Sequence, residues 1–115
     1  KKYGAYNDPK VKHILNLECF NQKYELHSFD GMPAKITDST VEWFWNGVNC
    51  RMSYHEDLPC FIDDKGNMSF CKHKGETPTH IKGPIASKHY GKVCLKELNK
   101  YEKYVSWPIR KILTL

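Results

Sequence analysis

Arginine is almost missing from this chain: two of its 115 residues are Arg, against sixteen Lys. Arg is the side chain that grips phosphate and guanine bidentately, so its scarcity argues against sequence-specific recognition of DNA. No apolar run approaches the ~20 residues that a membrane-spanning helix needs, so no membrane association is expected. The start, Lys1-Lys2-Tyr3-Gly4, leads into polar sequence and not into the apolar stretch of a secretory signal. No Cys-x-x-Cys pair occurs, and the five cysteines (Cys19, Cys50, Cys60, Cys71 and Cys94) are odd in number and widely spaced. That pattern predicts reduced thiols acting as small buried hydrophobes in an intracellular protein, not the staples of a secreted one. There is no Gly-rich phosphate loop and no strand–turn–helix nucleophile motif, so an enzyme is not expected.

Apolar and aromatic material is plentiful. Hydrophobic residues make up 40%, with seven Tyr, five Phe and three Trp, enough to build one core. The length suits one domain over residues 1–115. Within it the sequence divides into an N-terminal flank (1–18), a repeat region (19–87) and a C-terminal helix with a closing strand (88–115). The net charge of +5 is unevenly spread. Residues 31–64 carry two basic and six acidic side chains, whereas residues 65–115 carry eleven basic and three acidic ones. Such a dipolar chain can attract a polyanion or an acidic protein face through its basic half.

The repeat emerges when prolines are aligned. Asp30-Gly31-Met32-Pro33-Ala34-Lys35-Ile36, Glu56-Asp57-Leu58-Pro59-Cys60-Phe61-Ile62 and Ile81-Lys82-Gly83-Pro84-Ile85-Ala86 place Pro 26 and then 25 residues apart. Val41 to Trp45 leads into Asn46-Gly47, a strong tight-turn signal because both residues tolerate positive φ. Asp64-Lys65-Gly66-Asn67 is a second turn, between Cys60–Asp63 and Met68–Lys72. Alternation puts Val41, Trp43 and Trp45 on one face, and pairs Ala34 with Ile36 and Cys60 with Ile62. The expected fold is therefore mainly β: antiparallel hairpin repeats in a meander-like sheet, with the Trp strand central. The flanks differ. Residues 9–19 suit a helix after Asn7-Asp8-Pro9, or a strand by the alternation of Val11, His13, Leu15, Leu17 and Cys19. Leu95, Leu98, Tyr101 and Val105 predict a helix from about Val93 to Tyr104, and Ile109–Leu115 a closing strand.

The second unit, Trp45-Asn46-Gly47-Val48-Asn49-Cys50-Arg51 followed by Glu56-Asp57-Leu58-Pro59-Cys60, resembles a tandem repeat of tailed-phage and giant-virus proteins, itself distantly MORN-like. That repeat runs aromatic-x-x-Asn-Gly-x-x-His-Arg, then Asp-Gly-Pro-Ala or Asp-Leu-Pro-Ala. The first unit matches in Leu26-His27 and Asp30-Gly31-Met32-Pro33-Ala34, the third only in His80 and Gly83-Pro84. Cys50 stands where His is usual, Cys60 replaces Ala, and the stretch from Arg51 to Pro59 is longer. The resemblance covers about residues 19–87 and implies a viral origin. By analogy it implies a small protein of the host cytoplasm that binds and inhibits a host factor, such as a CRISPR or nucleotide-signalling defence component.

Candidate site residues follow from these readings. Arg51, Tyr54 and His55 lie in the lengthened segment, where a scaffold-held loop suits partner binding. The alternative is a nucleotide- or nucleic-acid-binding module. It would use Lys72, Lys74, Lys96, Lys100 and Lys103 for phosphate and the neighbouring Tyr90, Tyr101, Tyr104 and Trp107 for stacking. Cys50, His55, Cys60, Cys71 and His73 fall within 24 residues, but only Cys71-x-His73 approaches the close spacing of a zinc site. No metal or cofactor is expected. Self-association through exposed strand edges is a further expectation.

Overall fold

The fold is that of a computed structural model, which describes residues 16–52 and 58–114. Six short strands form one antiparallel sheet: β1 (Leu17–Glu18), β2 (Lys35–Ile36), β3 (Thr40–Glu42), β4 (Phe61–Asp63), β5 (Met68–Phe70) and β6 (Thr79–Ile81). Spatial order equals chain order, so every strand pairs with its sequence neighbour, as the meander reading predicted. Period-two alternation then sorts the side chains into two rows. Leu17, Ile36, Val41, Ile62, Met68 and Ile81 are aligned by register on the inner face, and the first five are fully buried. Glu18, Lys35, Glu42, Phe61, Ser69 and His80 are aligned the same way on the outer face.

The first two proline units repeat in three dimensions. Cys19 N–H donates to the Ala34 carbonyl and Trp43 N–H to the Cys60 carbonyl, both at 2.8 Å. Ser28 N–H reaches the Phe44 carbonyl at 2.7 Å, and Arg51 N–H reaches the Cys71 carbonyl at 2.8 Å. Pro33 and Pro59 are both buried just ahead of a strand, where a missing N–H breaks no ladder bond. Asn46 (φ 47°) and Gly47 (φ 83°) form the tight turn that the sequence signalled, closed by pairing of Trp45 with Val48.

The third unit departs from the pattern. Gly83-Pro84 does not lead an extended segment; it opens α1, Gly83–Leu98. The helix thus starts ten residues before the Val93 expected from the sequence. It gives way to a 3-10 segment, Asn99–Tyr104, kinked at Tyr101. Ile109–Leu115 is not a closing strand either: Ile109–Leu113 is a short helix, α2. Ile109 and Leu113 stand one helical turn apart and are both buried, which a helix achieves and an alternating strand does not.

α1 lies on the inner face of the sheet. Cys94 Sγ approaches Met68 Sδ at 3.9 Å, and the Tyr90 ring packs against Phe70 with centroids 4.7 Å apart. Its buried positions are small, namely Gly83, Ala86, Ser87, Gly91 and Cys94, until Leu98. At Gly91 a side chain would fall inside contact distance of the Leu113 carbonyl oxygen, so glycine is what lets α2 seat against α1. Trp43, Tyr101, Tyr104 and Trp107 complete the core between sheet and helices. The helix-or-strand question at the N-terminus falls mostly on residues 1–15, which lie outside the described residues.

Candidate interaction surface

α1 is nucleated by local chemistry. Pro84 sits in the first turn, where a missing N–H costs nothing, and the Gly83 N–H donates to Asn67 Oδ1 at 2.8 Å. One face is buried, so the other must face solvent. It presents Ile85, Lys88, His89, Lys92, Val93 and Lys96. Ile85 and Val93 keep 60% and 49% of their surface exposed, so this face carries apolar surface beside its lysines.

The charge pattern of this face is one-sided. Lys88, Lys92 and Lys96 follow one another at four-residue spacing, and Lys100 and Lys103 continue along the 3-10 segment, all exposed. Like charges at this spacing cost about 0.2–0.5 kcal/mol per pair, where alternating Glu and Lys would gain as much. Glu97 is the only acid in α1, and it turns inward to the Arg51 guanidinium. Three lysines one turn apart therefore stand on α1 without an intervening carboxylate.

Arg51 was expected at a surface, and the structure corrects this. Its side chain is 4% exposed, paired with Glu97 through both terminal nitrogens, donating to the Pro59 carbonyl at 3.2 Å, and stacked 4.2 Å over the Trp43 ring. It clamps the repeat region to the helix. Tyr54 and His55 lie outside the described residues.

The five lysines of the alternative reading do not form one cluster. Lys74 lines a shallow groove with Asn21, Lys23, Phe29 and Asn46. Lys100 lines a separate depression with Asp30, Arg51 and Tyr101. Lys72 is half-buried, and Lys103 sits 5.2 Å over the Tyr104 ring. The stacking rings are also spoken for: Tyr101, Tyr104 and Trp107 are buried and Tyr90 packs on Phe70. Lys88 and Lys92, which the sequence offers only as part of the general basic half, join Lys96 on one helix face. Their four-residue spacing was the signal that could have grouped them.

The five thiols form no disulfide and are buried. Cys60 donates to Asn49 Oδ1 and the Ser69 carbonyl, Cys71 to the carbonyls of His73 and Glu76. Burial pushes Cys60 up to about 11 and Cys94 up to about 12, so both are protonated thiols near neutral pH and poor nucleophiles. Among the described residues no group of three or more His, Cys, Asp or Glu side chains is placed to hold a metal ion. Ser69 and His80 share a hydrogen bond of 2.8 Å, but they are directly opposed cross-strand neighbours on the exposed outer face. No helix among the described residues is long and apolar enough to cross a membrane.

Set against known proteins, the chain matches no family model, no curated protein and no solved structure.

Proposed function

We propose that this protein acts by binding and not by catalysis, and that the exposed face of α1 docks on an acidic surface of a partner protein. The observation that carries the reading is the joint presence of Lys88, Lys92 and Lys96 with exposed Ile85 and Val93 on one helix face. Lysines supply attraction and orientation toward a negative surface. The two aliphatic side chains suit a partner with apolar spots between its carboxylates. They cannot stack on bases, and Tyr101, Tyr104 and Trp107, the rings nearest these lysines in sequence, are in the core, which disfavours a nucleic acid on this face. The resemblance to viral tandem repeats supports a host protein as that partner, with inhibition following from occupation of its surface.

A pull-down from host lysate, with and without nuclease, tests this when paired with Lys92→Glu/Lys96→Glu. The expected result is an acidic protein that survives nuclease and is lost from the double variant. A partner released by nuclease, with affinity falling steeply as salt rises, overturns the reading in favour of a polyanion. So does a protein partner held equally well by the double variant.

A further inference from the structure

Two opposite sides of the molecule carry opposite charge. On the outer sheet face stand Glu18 of β1, Glu42 of β3 and Asp63 of β4, with half-buried Phe61 directly opposite Glu42 in register. Asp38 and Asp64 are exposed in the turns at the strand ends, and among the described residues Lys35, Lys65 and Lys82 offset the negative charge. On the other side is the solvent face of α1, with its lysines, Ile85 and Val93. α1 covers the inner face of the sheet, so its exposed side points away from the outer face.

Their spacings agree. Strands stand ~4.8 Å apart, so Glu18 and Glu42, two strands apart, are separated by ~10 Å, with Lys35 between them in register. A helix rises ~1.5 Å per residue, so Lys88 and Lys96 are ~12 Å apart, with Lys92 between them. Each surface also places apolar groups beside its charges: Phe61 on the sheet, Ile85 and Val93 on the helix. From this complementarity we infer that the helix face of one copy docks on the outer sheet face of a second copy of this chain. The two surfaces differ, so the contact is heterologous: it does not close on a two-fold axis, and each added copy leaves one face of each kind open. Strand-edge pairing, the route expected from the sequence, is the weaker candidate, because the edge strands β1 and β6 span only two and three residues. An acidic partner and a second copy compete for the same helix face, but Glu18 and Glu42 serve only self-assembly.

Sedimentation velocity of the full chain tests the inference. In about 0.03 M salt the average mass is expected to rise with concentration and to pass the dimer. In about 0.5 M salt, where screening acts within a few ångströms, the chain is expected to be monomeric. Lys92→Glu/Lys96→Glu makes both faces acidic, and Glu18→Lys/Glu42→Lys makes both basic, so each variant alone is expected to stay monomeric. Mixed in equal amounts, every helix face meets a sheet face of opposite sign, and assembly returns. A monomer at all concentrations in low salt overturns the inference, as does assembly that persists in either variant or fails to return on mixing. Glu18→Lys/Glu42→Lys leaves the α1 face untouched, so its capture of an acidic partner stands or falls separately.

Discussion

Replacing Arg51 with Ala separates a buried clamp from a surface contact. The Arg51 side chain is 4% exposed and Glu97 15%, so the change strips a nearly buried carboxylate of its partner. Breaking one side of such a pair costs about 3–5 kcal/mol. Glu97 keeps some contact with water, which places the expected loss near the lower end, about 3 kcal/mol. The bond to the Pro59 carbonyl and the stacking on Trp43 disappear as well. At about 4 °C per kcal/mol for a chain of this size, the melting temperature is expected to fall by about 12 °C. Urea and thermal unfolding followed by circular dichroism measure it. Removing both charges in Arg51→Met/Glu97→Leu is expected to recover most of the loss, because no charge is then left stranded. A loss below about 0.5 kcal/mol in Arg51→Ala, the range of ordinary surface changes, would refute the clamp. It would return Arg51 to the list of partner-binding residues.

Three further outcomes are expected. His27 is buried between Phe29 and Trp45, and its Nδ1 accepts the Asn46 N–H at 3.0 Å; burial holds its pKa below the usual value against the opposing charge of Glu25. The folded state therefore binds this proton less readily than the unfolded chain. The stability it contributes is full above pH ~6.5 and is lost as pH falls toward the lowered pKa. Denaturant midpoints between pH 7.5 and pH 5 should show this loss lessened in His27→Gln, whose amide oxygen can still accept; an unchanged slope sinks the assignment. All five thiols should resist a disulfide-exchange reagent in the native protein near pH 8 and react once the chain is unfolded, and a fast-reacting thiol in the native state contradicts their burial. Gly91→Ala should destabilise by roughly 1–3 kcal/mol of steric cost, less up to ~1 kcal/mol of helix propensity gained, with a change in near-ultraviolet dichroism as α2 shifts; Lys92→Ala, one residue on, should do neither.

Turn chemistry and period-two alternation were legible in the sequence because they are local. Asn46-Gly47 and Asp64–Asn67 turn where expected, and the Pro33 and Pro59 units repeat down to their backbone hydrogen bonds. The third unit was misread because Pro serves two purposes: ahead of a strand it spares a ladder bond, and at the first turn of a helix it spares a donor. Pro84 does the second. The first three turns of α1 were invisible for a packing reason. A helix that lies close on a sheet buries Gly, Ala, Ser and Cys, so no large apolar stripe appears until Leu95 and Leu98. Only that end was read as helix. Arg51 was placed outside because its partner, Glu97, lies 46 residues away, beyond any local pattern. The cationic half was plain, but which lysines share a face depended on where α1 begins.

The order of the strands bears on how the chain comes to be folded. Every strand bonds only to its sequence neighbour, so no pairing spans more than one connection, the longest being 16 residues between β1 and β2 and 18 between β3 and β4. Each hairpin can therefore form once its second strand is synthesised. The rest of their core arrives last: Leu17, Ile36, Val41 and Ile62 share one buried cluster with Ala86, Cys94, Leu98, Tyr101 and Trp107, all of which lie beyond the start of α1 at Gly83. A ribosome adding ~5–20 residues per second needs seconds to deliver the rest of the chain after the second hairpin emerges. For that interval the nascent protein is a sheet with an uncovered greasy side, and mutations that slow the docking of α1 will lower yield in the cell before they measurably lower equilibrium stability.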